Sequence, residues 1–344
     1  MATYEGVFDT LGMRDWCDVG KEDAPMSMAQ LLAQTQGGGA ASDGPAFPFP
    51  SLDVLHESCA RIGQTRDLTA SIEEGFLAVR PELKAVLDPF TQPLSWLLDG
   101  ALFAFETTPW WIMIPLLAAL SWYVSRSGTV TGFVAGVLVF FGIIDHYDVA
   151  MQTLAIIFVC TTLSVVIGVP IGIGMARSNT AQKIIVPILD LLQTLPTFVY
   201  LIPLIFLFSV TESKLYGIAI ILYAIVPVIR LTDLGIRLVD KDVIEAADAF
   251  GMTSWQKLTR VQLPLALPNV MAGVNQTIMM SLAMVVIASL VSAPGLGVLV
   301  LRGIRNLELG VGIVAGLGIV LLAVILDRVS KAALARVDKE RSAS

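Results

Sequence analysis

Between two long apolar stretches the chain carries Glu245-Ala246-Ala247, three further residues, Gly251, nine more, and then Val261-x-Leu263-Pro264. These types do not assemble a nucleophile with its base, a metal-ligand cluster or a pair of carboxylates. They suit mechanics. Ala246, Ala247 and Ala249 permit tight helix crossing, and Gly251 can turn the chain after a helix. Met252 to Arg260 can then form a second short helix across the membrane surface. Pro264, with Pro268, sets the approach to the next apolar segment. A short helix so mounted can dock in a groove of a soluble partner. An ordinary cytosolic helical hairpin has the same pattern, and spacing does not choose between them.

A second group is polar and lies inside apolar segments, where such residues are costly unless they face protein or water. Asp190, Gln193 and Thr194 occupy one segment; Asn275, Gln276, Thr277 and Ser281 occupy another. Phe198, Tyr200, Phe206 and Tyr223 stand close in sequence. Aromatic faces can hold a cation. Gln193, Thr194, Phe198, Tyr200, Asn275 and Gln276 are therefore candidate path residues. The competing reading is that Gln193 and Asn275 bridge helices and Phe198 faces lipid. Asp190, nearer the inner face, has Lys183 and Arg177 as expected partners. His56 and His146 are isolated, and no metal or cofactor site is expected. No G-x4-G-K-[ST] phosphate loop is present, so ATP hydrolysis is not expected of this chain.

Composition identifies the solvent. Of 344 residues, 55% are apolar and the mean hydropathy is +0.76, against roughly 45–50% apolar in soluble domains. Residues 1–108 carry 16 Asp/Glu and 6 Lys/Arg; the remainder carries 13 and 16. An acidic tail thus precedes a mildly basic membrane body. No basic stripe is available for phosphates, which argues against nucleic acid. Cys160 reads as a packing residue. Cys17 and Cys59 could pair in an oxidising compartment, though the tail does not read as a stapled fold.

These elements imply an all-α polytopic membrane protein. Residues 1–70 read as a largely disordered tail without an apolar signal-peptide core. Residues 71–108 read as a helix stopped near Asp88-Pro89 and a second over 93–106. In the second, Leu94, Leu97, Leu98, Ala101, Leu102 and Phe105 share one face. That face suits an interfacial helix or packing on neighbouring elements. Seven spans are expected at about 109–125, 129–145, 149–176, 184–210, 215–230, 269–292 and 310–328, the first two accessory (109–145) and the rest a core (146–330). Pro187, Pro196 and Pro203 should make the fourth irregular. Gly132/Gly136, Gly168/Gly172 and Gly312/Gly316 allow close helix approach. Lys and Arg favour a cytoplasmic loop 231–268, a cytoplasmic C-terminal tail (331–344) and a periplasmic N-terminus. Arg302 and Arg305, on the outer side, are discordant, and 294–309 reads as a re-entrant or surface segment.

The string EAADAFGMTSWQKLTRVQLPLALP (245–268) resembles the EAA loop of ABC importer permeases, with Val261 where many have Ile. ILDLLQTLPTFVYLIP (188–203), IVPVIRLTDLGI (225–236), MAGVNQTIMMSLAMVVIASLV (271–291), GLGVLVLRGI (295–304) and GIVLLAVILDR (318–328) resemble permease subunits of glycine betaine/proline betaine importers. The resemblance covers about 150–330; residues 1–108 share only the layout. It implies an ABC type I permease core in a bacterial inner membrane, working as a homodimer with two cytosolic ATPase subunits, which bind ATP and Mg, and a periplasmic substrate-binding protein. It implies osmoprotective solutes such as glycine betaine, proline betaine, choline, carnitine or trimethylamine N-oxide. The loop positions that couple to the ATPase would be Glu245, Ala246, Ala247, Gly251, Met252, Leu263 and Pro264. A self-sufficient secondary transporter or channel is the alternative, but no repeat joins 109–210 to 211–328, and it would leave the loop unexplained.

Overall fold

The computed structural model describes residues 65–342, together with residues 8, 11 and 12. The expectations for the tail, the Cys17–Cys59 pair and His56 lie outside the described residues. Among those described, every regular element is helical: α1 (Thr65–Thr107), α2 (Trp110–Ser125), α3 (Gly128–Ile143), α4 (Tyr147–Arg177), α5 (Asn179–Thr194), α6 (Thr197–Leu207), α7 (Ser213–Arg237), α8 (Lys241–Ala249), α9 (Ser254–Lys257), α10 (Leu263–Ala288), α11 (Leu296–Arg305) and α12 (Leu309–Ser342). Residues Glu82–Ser344 form one compact unit.

Four helices are long and apolar enough to cross a bilayer singly: α4, α7, α9 through α10, and α12. Two bent pairs, α1 with α2 and α5 with α6, bring the number to as many as six, and α3 is a shorter apolar helix. All seven expected apolar segments are thus helical, but the first two are only 16 residues each. Crossing alone takes about 20 residues at 1.5 Å per residue.

The centre is a three-helix contact of α4, α7 and α10, made close by glycine. A Cβ at Gly168 would lie 2.4 Å from Val228 Cγ1, and one at Gly172 would lie 2.7 Å from the Ile229 carbonyl oxygen. On the other side of α7, a Cβ at Gly273 would lie 3.0 Å from Val228 Cα. Lipid tails give apolar side chains little reason to leave them, so close packing carries the association. Val226, Val228 and Ile229 are buried there with Met175 and Leu189. Gly132, Gly136 and Gly316 do not act this way. None has an atom within 4 Å of an added Cβ among the described residues, while Gly312 lies against Gly303 of α11. Spacing alone could not show which pairs meet a neighbour.

Pro89 does not end a helix. Helix α1 runs through it and through Pro93. Neighbours on both sides hold it across the missing backbone bond. Leu94 and Leu98 are buried against Gly217 of α7, so this face packs on protein. Leu97, on the expected stripe, is exposed with Trp96 and Phe103. Lys214, buried at the start of α7, reaches Asp88 at 2.7 Å, Glu212 at 2.7 Å and Gln92 at 3.4 Å. Lys84 reaches the other Glu212 oxygen at 3.0 Å.

Burial alone would raise the Glu212 carboxyl, but hydrogen bonds from Lys214 and Lys84 outweigh it and hold the group below its ordinary value. A depressed carboxyl contributes stability above its unfolded pKa and loses it as pH falls through the folded value. Glu212→Gln should therefore melt below the parent at pH 7, with the gap closing as pH drops below about 4. Thermal melts of both proteins in detergent across that range test this; a gap independent of pH would contradict the clasp.

Segment 294–309 holds a short helix, α11, and a turn into α12. Gly295, at φ 115°, passes so near Thr153 that a Cβ would lie 2.3 Å from its hydroxyl. That hydroxyl accepts from the Leu296 N–H at 2.8 Å. Arg302 and Arg305 fall in the last turn of α11, where cations suit the helix dipole, and Arg302 pairs with Glu308 at 3.1 Å.

Candidate coupling loop and translocation path

The loop is built on a capped turn. Helix α8 starts under Asp240, whose side chain accepts from the Asp242 N–H at 3.0 Å. It ends at Phe250, and Gly251 takes φ +72°. The Gly251 N–H then donates to the Asp248 carbonyl at 2.9 Å and the Met252 N–H to the Ala247 carbonyl at 3.2 Å. These bonds satisfy carbonyls that a helix end otherwise leaves open. Thr253 and Gln256 form a reciprocal capping box that starts α9. Lys257 returns to Asp248 at 2.7 Å, joining the two arms.

The second arm is not a separate helix on the membrane surface. It passes through a π-helical turn, Leu258–Gln262, directly into α10. Pro264 accounts for this. It lacks an N–H, and its ring crowds the carbonyl four residues before it, so a wider turn relieves the helix. Leu258, Ile236 and Ala266 form a buried cluster under the turn. From Ser254 to Val291 the chain is thus one continuous helical rod.

Ala247 is the buried face of α8, as its small side chain allowed; Glu245, Ala246 and Gly251 are exposed and Met252 is half-buried. Leu263 and Pro264 are half-buried at the root of α10. The sequence reading missed two aromatics. Phe250 is 84% exposed and Trp255 is 65% exposed, one on each arm. Aromatic residues are enriched among interface anchors, and their position near the turn residue was the available signal.

A polar network at the root of the loop was also missed. Asp233 is buried near the end of α7 and accepts from Arg237 Nε at 2.8 Å and from Gln182 Nε2 at 2.8 Å. Arg237 also donates to Asn179 at 2.8 Å and to the Met175 carbonyl at 2.7 Å. The ends of α4, α5 and α7 are tied together where the loop departs. A carboxylate four residues before an arginine was the sequence signal.

The irregular span appears as expected, with α5 and α6 meeting at 96°. Pro196 pushes Leu195 out of the helical region, and Leu195 sits at ψ 130°. Gln193, Thr194, Phe198 and Tyr200 all lie at or beside this break. Gln193 and Thr194 are exposed, the Thr194 hydroxyl donating to the Asp190 carbonyl at 2.8 Å. Phe198 is exposed; Tyr200 is half-buried, its hydroxyl 3.8 Å from Met284 Sδ on α10.

Asn275 does not join them. Its amide donates to Asp327 at 2.9 Å and its oxygen accepts from Ser330 at 2.9 Å, so it bridges α10 to α12. Gln276 is exposed on α10. Asp190 pairs with Arg230 of α7 rather than with Lys183 or Arg177, because the packing of α5 on α7 faces it that way. His146 Nδ1 meets the Ile144 carbonyl at 2.6 Å, a loop role, and Cys160 is buried as packing.

The fold and site are those of a membrane protein with a broken span and an exposed, capped turn between two helices. Residues 168–339 match the family described as binding-protein-dependent transport system inner membrane component, and the chain belongs to that family. It is similar to the glycine betaine/proline betaine transport system permease protein ProW of Escherichia coli, at 40% identity over 87% of this chain and 84% of that one. It is similar also to the glycine betaine transport system permease protein OpuAB of Bacillus subtilis, at 41% identity over 71% and 86%. The trimethylamine N-oxide transport system permease protein TmoV of Ruegeria pomeroyi is 38% identical over 65% of this chain and 34% of its own length. A solved MetNI methionine ABC transporter chain aligns over 53% of this chain and 93% of its own, at 22% identity and a TM-score of 0.47.

Proposed function

We propose that this chain is the translocation subunit of an ATP-driven importer for small quaternary or tertiary amine solutes, glycine betaine foremost. The observation that carries the reading is the loop: an exposed α8, a left-handed glycine, and a second arm continuous with α10. Such a lever turns displacement of a docked partner into displacement of a membrane helix. Phe250 and Trp255 would anchor cytosolic ATPase subunits, which hold ATP and Mg, and Glu245 would complete that surface. The chain itself would not hydrolyse ATP. Two copies would line the path, with an external binding protein delivering the solute. The permeases of betaine systems to which the chain is similar support this substrate class.

The N-terminus would be periplasmic and the C-terminus cytoplasmic, in a bacterial plasma membrane, which puts the basic loop inside. Gln193, Thr194, Phe198 and Tyr200 would line the path at the break between α5 and α6, where interrupted backbone requires a cavity or buried protein. Tyr200 and Phe198 offer aromatic faces to a methylated ammonium.

The test is uptake of labelled glycine betaine, choline, carnitine and trimethylamine N-oxide into vesicles holding this chain with its ATPase and binding protein. Uptake is expected only with internal ATP and the binding protein together. Gln193→Ala and Tyr200→Ala should lower it at normal protein levels. Uptake without ATP or binding protein would instead establish a self-sufficient transporter.

A further inference from the structure

A cleft of about 500 Å3 lies among α1, α2, α3, α4, α10 and α12, lined largely by hydrocarbon, including Met113, Leu117, Leu154, Ile278 and Val329. It is within the ~300–1,000 Å3 range of ligand sites. One lining group stands out. Ser121 of α2 is only 4% exposed, and its hydroxyl has no hydrogen-bond partner among the described residues. In hydrocarbon a hydroxyl needs an acceptor, and a helical serine commonly finds one on its own helix. Here it does not.

The next residues define depth and charge. Trp122 and Tyr123 follow Ser121 and are exposed, as side chains at headgroup level are. Arg126 caps the same helix, exposed, its guanidinium 5.9 Å from the centre of the Tyr123 ring, with no ion pair among the described residues. Arg336 donates to the Tyr123 carbonyl at 2.9 Å, bringing α12 to the same mouth. From the cleft outward the order is therefore apolar wall, hydroxyl donor, aromatic collar, cation. A glycerophospholipid has the complementary order: acyl chain, ester carbonyl, glycerol and phosphate.

We propose that this cleft is a binding site for one bilayer glycerophospholipid, with an acyl chain in the cleft, an ester carbonyl accepting from Ser121 and the phosphate against Arg126. A chain already in a bilayer gains little from the hydrophobic effect. Selection over bulk lipid comes from packing, the hydroxyl and the cation. The lipid would then be part of the joint between α2 and α4.

The experiment is native mass spectrometry of the full chain in mild detergent with added palmitoyl-oleoyl phosphatidylglycerol or phosphatidylethanolamine. Retention of one phospholipid per chain is expected at energies that strip detergent. Ser121→Ala and Arg126→Gln should each lower it several-fold. Thr162→Trp, placed on an exposed cleft-lining position of α4, should abolish it while the protein still elutes as a monodisperse folded species on size exclusion. A lipid carrying a photoreactive acyl chain should label peptides of α2 and α4. Retention unchanged in Thr162→Trp, labelling confined to helices that do not line the cleft, or recovery of detergent or a second protein copy in place of lipid would overturn the proposal.

Discussion

Replacing Gly251 with valine should reduce ATP-driven uptake by about tenfold or more while leaving insertion intact. The left-handed φ of +72° costs a β-branched residue roughly 1–3 kcal/mol. No atom among the described residues lies within 4 Å of an added Cβ, so the effect is conformational and not a clash. The strained turn would give up the Gly251 and Met252 bonds to Asp248 and Ala247, and α8 would lose its fixed angle to α9. Gly251→Asn should keep most activity, because asparagine enters the left-handed region with less penalty. Copurification of the ATPase should follow the same order. Equal uptake by the valine and asparagine variants would show that the coupling reading does not depend on this turn.

Gly172→Leu should prevent accumulation of the folded protein, whereas Gly132→Leu should leave the isolated chain's stability within about 0.5 kcal/mol. An added Cβ at Gly172 meets the Ile229 carbonyl oxygen at 2.7 Å and Thr232 Cβ at 2.6 Å, so α4 and α7 must separate. Backbone cannot rotate away as a side chain can, and overpacking costs typically 1–3 kcal/mol even where side chains alone must move. At Gly132 no described atom is near. Expression with size-exclusion profiles and thermal melts in detergent would compare the two. Similar behaviour of both variants would contradict the assignment of α4 against α7 as the centre of the fold.

The turn of the loop was legible because it is local. A glycine that ends one short helix and opens the way to the next acts within a few residues, so its place in the chain is its place in the fold. The loop's continuation into α10 was not legible. Leu258 reads as one more apolar residue until it is seen buried with Ile236 and Ala266. Asn275 shows the same limit. A polar side chain in an apolar segment signals a partner, and only packing showed the partner to be Asp327 and Ser330 on α12.

The sequence by itself determined the solvent of this protein, its helical class, the positions of its apolar segments, the irregularity of the proline-bearing fourth one and the turn at Gly251. Each follows from hydropathy or from backbone restrictions that a residue carries wherever it is placed. The tertiary structure decided which glycines meet a neighbour, that α1 continues through Pro89, that Asp190 turns to Arg230, and that Asp233 and Arg237 tie the loop's root. Those outcomes depend on which helix faces cross at short range. Many sequences with the same periodicity leave that open, and only the packed arrangement settles it.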